Sequence, residues 1–196
     1  MEMAPLADPA VEDFPIPFLP QDSELLDCLL RPKIAGDRID SRFTALVHDA
    51  DVYSLPPDQL AARHEGAPGS DGDKVWYFFS GAGSSRGGGG RRACTVGGDG
   101  SKRWCSVGSK KKVEGGVPGG GYCQKLRYKE KTASGVVAPG WTMVEYGVAQ
   151  ELAGGADLVL CKIFRSPRAA RSESDSSTSA SASPSCSGGR KRKAAE

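Results

Sequence analysis

Apolar residues in this chain come in short runs, and the spacing inside each run changes along the sequence. In "PQDSELLDCLLRPK" Leu25, Leu26, Leu29 and Leu30 recur at helical spacing, so one face of a short helix is predicted to be buried. Asp22 is placed to cap that helix, Glu24 suits its first turn, and Pro32 is expected to end it. "FTALVHDADVYSLPPDQL" mixes small apolar patches with a Pro-Pro stop and predicts a turn or short helix, then an extended piece. "KVWYFFS" (74–80) reads as a strand, with Trp76 and Phe78 on one face and Tyr77 and Phe79 on the other, so both faces need cover. Further strands fit "KRWCSVG", "KKVEG", "YCQKLRYKE", "GWTMVEYGV" and "LVLCKIF", with glycine-containing turns between them that suggest an antiparallel meander. "GAGSSRGGGGRR" reads as a flexible loop and carries no phosphate-cradling spacing.

Composition limits what such elements can build. The chain has 196 residues, 38% of them hydrophobic, with 26 Gly and 13 Pro, which allows one modest core and many loops. No run approaches the roughly 18 apolar residues of a membrane-spanning helix. The opening "MEMAPLADPAVEDF" is acidic and lacks the pattern of a secretory signal. The six cysteines show no C-x-x-C pair and are therefore expected to be reduced thiols.

Charge changes the picture most. The net charge of +2 conceals a segregation: residues 1–73 hold 15 acidic and 5 basic side chains, whereas residues 74–131 hold 3 acidic and 13 basic. A middle segment this basic attracts polyanions, of which nucleic acid is the commonest. After Ser166 the composition collapses into Ser, Ala, Arg and Pro, a tail expected to stay disordered. It ends in "RKRK" (Arg190, Lys191, Arg192, Lys193), a run of the nuclear-localisation kind.

Catalytic chemistry finds little support. His48 and His64 both lie in the acidic half and are expected to be exposed, and the aspartates after His48 read as loop residues. Cys94, Cys105 and Cys123 are spaced too irregularly for a structural zinc site. Glu145 has no evident partner for acid–base work. No catalytic residue, metal ligand or cofactor site is assigned.

Taken in order, the segments resemble the NAC domain of plant transcription factors. "FLPQDSELL" keeps Phe18, Pro20, Asp22, Glu24 and Leu25 of F-R-F-x-P-T-D-E-E-L, and "DVYSLPPDQL" is similar to D-V-Y-x-x-x-P-W-x-L. "WYFFS" matches outright, and "WCSVGSKKKV" resembles W-K-A-T-G-K-D-K-x-[IV] at Trp104, Gly108, Lys111 and Val113. "GYCQKLRY", "WTMVEYGV" and "LVLCKIF" resemble the blocks that follow. The chain departs from the pattern at Pro17, Cys105 and Ser109, which replace basic residues, and at Cys123 and Gln124.

The resemblance implies an α+β, mainly β fold: a twisted antiparallel β-sheet flanked by a few short helices over residues 14–168, between a disordered N-terminus (1–13) and a disordered Ser-rich tail (169–196). It implies a nuclear transcription regulator that binds double-stranded DNA, with the strand of the W-K-A-T-G-K block in the major groove and no cofactor. On that mapping Lys102, Arg103, Lys110, Lys111 and Lys112 are the basic arms, Arg91 and Arg92 belong to the preceding loop, and Lys125 and Arg127 extend the patch. Trp104 and Gly108 would support the strand, while Phe18 and Glu24 would sit at the interface of a homodimer or a heterodimer with other NAC proteins. A second reading, favoured by Pro17, Cys105 and Ser109, is a divergent NAC-like dimerisation module that regulates other NAC proteins with weak or no specific DNA binding.

Overall fold

The computed structural model describes residues 19–70, 72–81, 94–98, 100–114, 120–149 and 157–166. Phe18, Arg91, Arg92, the glycine-rich loop, both terminal segments and the "RKRK" run lie outside the described residues.

The helical part begins with α1 (Asp22–Glu24), passes through a single wide π-turn (Leu25–Leu30) and continues as α2 (Arg31–Ala35). The capping differs from the sequence-based expectation. Gln21 takes the N-cap position and donates its backbone N–H to Glu24 Oε2 at 2.8 Å. Asp22 is thereby freed, and its carboxylate accepts the Tyr146 hydroxyl at 2.7 Å, tying the helix to the sheet. Nor does Pro32 end the helix. It falls in the first turn of α2, directly after the π-turn of one continuous helical run, and the chain turns instead at Gly36 (φ +76°). There the Asp37 N–H reaches Pro32 O and the Gly36 N–H reaches Lys33 O, a left-handed stop suited to glycine.

Two further helices follow, α3 (Ser41–Thr44), capped by Asp40, and α4 (Pro57–Arg63). The Pro-Pro pair therefore opens a helix rather than closing one, with Pro57 in the first turn.

The strands are β1 (Val47–Asp49), β2 (Ala67–Pro68), β3 (Lys74–Gly81), β4 (Thr95–Val96), β5 (Lys102–Ser106), β6 (Lys111–Val113), β7 (Gly121–Thr132), β8 (Gly135–Val137), β9 (Trp141–Val148) and β10 (Leu158–Arg165). They form one sheet in the order β1-β3-β10-β9-β7-β5-β4, with β2 on β3, and β6 and β8 on β7. Pairing is antiparallel except between β1 and β3, which run parallel. The sheet is thus mixed and is not a simple meander, because β10 returns to lie between β3 and β9.

Both faces of β3 are covered, as its aromatic alternation requires. Tyr77 and Phe79 pack with Leu25, Leu26, Leu29, Leu30, Tyr146 and Leu160 under the helices. Phe78 packs on the opposite face with Val52, Leu60, Met143, Cys161 and Ile163, in a cluster that continues to Trp104, Leu126 and Tyr128. A close approach fixes one end of this arrangement: a Cβ at Gly147 would collide with the Tyr122 ring, and one at Gly121 with Leu26.

Candidate nucleic-acid interface

The register of β5, β7 and β9 decides which basic side chains share a face. Arg103 lies opposite Lys129, Cys105 opposite Arg127, Arg127 opposite Thr142 and Lys125 opposite Val144. Since side chains alternate along a strand and cross-strand partners point the same way, Arg103, Lys125, Arg127, Lys129 and Lys131 all project from one face. This is the face that the helices cover farther along, over β3, β10 and β9. Lys111, opposite Cys123, belongs to it as well.

The opposite face of the same strands is apolar and packed. Trp104 is 2% exposed, its ring is 5.3 Å from that of Tyr128, and its backbone N–H donates to Cys94 O at 2.8 Å. Leu126 and Tyr128, between the basic residues of β7, are buried there too. A sheet with one dry face and one charged face holds its charges rigidly, because the side chains that anchor the strand alternate with those that carry the charge.

Among the described residues, acidic neighbours do not neutralise the row. Glu130 lies between Lys129 and Lys131 in sequence but points to the other face, where it accepts the Tyr128 hydroxyl at 2.9 Å. The ion pairs among the described residues lie elsewhere, at Arg31–Asp27, Lys33–Asp49 and Arg42–Asp40. Like charges directly opposite, such as Arg103 and Lys129, are destabilising in a sheet. An anion laid along the row would relieve that repulsion.

The basic residues named from sequence divide accordingly. Arg103, Lys111, Lys125 and Arg127 come together on the open face. Lys102, half-buried opposite Glu130, and Lys112, opposite Tyr122, face the other way. Lys110 sits in the turn before β6 with its ammonium 3.8 Å from the Tyr122 ring centroid. Gly108 lies in the same turn with φ +80°, a backbone conformation that side-chain-bearing residues rarely adopt. Lys129 and Lys131 were missed, although "KLRYKEK" carries their signal: basic residues at every second position, with Leu126 and Tyr128 between the first three. Glu24 is exposed, and its described bond is the intrachain cap.

Titratable groups elsewhere are structural. Glu145 is 1% exposed and, contrary to the reading from sequence, has a partner: it accepts the Tyr53 hydroxyl at 3.0 Å. Burial and that carboxylate push the Tyr53 phenol well above its ordinary range. The histidines are half-buried rather than exposed. Their rings lie 4.8 Å apart, and burial, then His48, then Arg63 lower the His64 pKa. Burial raises the Cys123 thiol, and the nearby Lys111 only partly offsets this. Among the described residues no group of three or more His, Cys, Asp or Glu side chains could hold a metal ion. Among the described residues no cysteine pairs in a disulfide.

No curated protein gives a significant match to the chain. The family model described as "No apical meristem (NAM) protein" matches residues 14–148, which takes in every strand of the basic face and stops short of β10. The match spans more than half of the chain, from the N-terminal helix through β9, in the order its motifs suggested, and the chain belongs to the No apical meristem family, the NAC-domain group of plant transcription regulators.

Proposed function

We propose that the protein is a nuclear transcription regulator that binds double-stranded DNA through the open face of β5 and β7. One observation carries this reading: the row of Arg103, Lys125, Arg127, Lys129 and Lys131, which has no ion-pair partner among the described residues, beside a buried apolar face. The four residues of β7 in the row span roughly 20 Å. Over that length each strand of a duplex presents about six phosphates. A β-ribbon of this kind fits a major groove about 12 Å wide. Trp104 and Gly108 serve by holding β5 and its turn, and Lys102, Lys110 and Lys112 border the row rather than join it. Arg91 and Arg92 would add to the same surface from the preceding loop, and the "RKRK" run would direct nuclear import. Phe18 and Glu24 remain the proposed contacts of a homodimer or a NAC heterodimer.

The second reading is a dimerisation module that regulates other NAC proteins with little specific DNA binding of its own. Cys105 favours it, a neutral residue among basic neighbours where the family pattern has lysine. A gel shift against random-sequence duplex pools separates the two. Recovery of a preferred sequence supports the regulator, and retention of the pool without preference, or no retention, supports the module.

A further inference from the structure

The basic face lies beside the point where the Ser-rich segment leaves the sheet. The Ser166 backbone N–H donates to Gly140 O at 2.9 Å, which fixes that exit. Ser166 and Arg127 both line one hollow of about 210 Å³, together with Trp141 and Thr142. Beyond it the sequence runs "PRAARSESDSSTS", with six hydroxyl residues in positions 172–179 interleaved with Glu173 and Asp175.

We propose that phosphorylation within 172–179 turns this segment into an intramolecular ligand of the basic row, and so into a regulator of DNA binding. The docking stands on charge and reach alone; its regulatory consequence rests on the DNA-binding reading. Ser172 lies six residue steps beyond Ser166, and fully extended these reach about 20 Å. Arg127 and Lys131 are about 13 Å apart along β7. The first serines of the cluster therefore reach the whole row from a fixed tether.

The charge balance makes modification decisive. Unmodified, 172–179 carries only Glu173 and Asp175 and is flanked by Arg168 and Arg171. Three phosphates take the stretch to about −7, set against five cations of the row. Arginine and phosphate make paired, charge-assisted hydrogen bonds, which Arg103 and Arg127 are exposed to form. The chemistry needs a protein kinase and ATP. The serine Oγ attacks the γ-phosphorus, the bond to the leaving ADP breaks, and the hydroxyl proton passes to a base on the kinase. Glu173 and Asp175 beside Ser172, Ser174 and Ser176 suit a kinase with a basic substrate groove. Because the ligand is tethered, its effective concentration is on the order of millimolar, and even weak phosphate contacts compete.

The full chain phosphorylated in vitro at 172–179 is compared with the unmodified chain by amide NMR without DNA, and by titration with random duplex at one fixed salt concentration. The expected result is shifted amides in β5 and β7, lost in a Lys125/Arg127/Lys129/Lys131→Ala variant that keeps its melting temperature. DNA affinity is expected to fall about tenfold or more on phosphorylation. Unchanged amides in β5 and β7 would overturn the docking, whatever DNA does. Shifted amides with unchanged affinity, in a chain that binds DNA, would overturn the regulation. Shifted amides in a chain that never binds DNA would uphold the docking and refute the DNA-binding reading instead.

Discussion

Two halves of one sheet face behave in opposite ways. Over β3, β10 and β9 the face carries Tyr77, Phe79, Leu160, Tyr146 and Val148, and the N-terminal helices lie on it. Over β5 and β7 the same face carries Arg103, Lys125, Arg127, Lys129 and Lys131 and lies open. The transition happens on β9, where Val144 and Thr142 follow Tyr146 toward the strand's start, opposite Lys125 and Arg127. A half-buried cation, Lys162, marks the border, 6.0 Å from the Tyr77 ring centroid, with burial lowering its pKa against the opposing pull of Asp22. The same pleat thus serves as core where a helix supplies apolar cover and as a charged platform where no described helix does. On the proposed function, stability and binding are separated in space, and substitutions on the two halves should have separable effects.

The largest effect is expected under the helices. Leu29 is fully buried, and Leu29→Ala should cost about 2 to 5 kcal/mol, read as a lower melting temperature. On the open half Lys129→Ala should stay within about 0.5 kcal/mol of the parent, since it removes a half-buried charge whose cross-strand neighbour, Arg103, is of like sign. Equal losses at the two sites would dissolve the comparison.

An intermediate effect is expected where the helix is tied down. Asp22→Ala removes the acceptor of the buried Tyr146 hydroxyl and should cost about 1 to 3 kcal/mol by chemical denaturation. Loss of DNA binding without loss of stability would show that Asp22 acts on the open half instead.

The sequence disclosed the two halves unequally. The leucine spacing of 25, 26, 29 and 30 and the aromatic alternation of 76 to 79 name core residues directly, because burial imposes periodicity on residue type. Charge imposes none by itself: the basic count of 74–131 announced an anion-binding surface, yet Lys102 and Lys112 point away from it and Lys129 and Lys131 belong to it. Their faces depend on register, which is set between strands far apart in sequence. The cap was misjudged because the Asp22 carboxylate has a long-range partner in Tyr146 that no nearby residue reveals. The central position of β10 could not be foreseen either, because sequence order favours pairing between neighbours.

The smallest effect concerns the rim of the sheet at His48 and His64. The folded protein holds His64 below its ordinary pKa of 6.5, so the unfolded chain takes up the proton first as pH falls. Stability should be unaffected above 6.5 and decline as pH drops from 6.5 through the lowered folded value. His64→Gln should flatten that decline in melting temperature against pH; an unaltered slope would assign the titration to another group.

The salt dependence of DNA binding tests the basic row most directly. Each phosphate neutralised contributes about −0.9 to the slope of log affinity against log salt. Replacing Lys125, Arg127, Lys129 and Lys131 by alanine should flatten the slope by about three to four units while the melting temperature holds. The matched pair Lys102→Ala and Lys112→Ala, on the other face, should change it by about one unit or less. A slope that flattens for the second set and not for the first would contradict the assignment of this face to DNA.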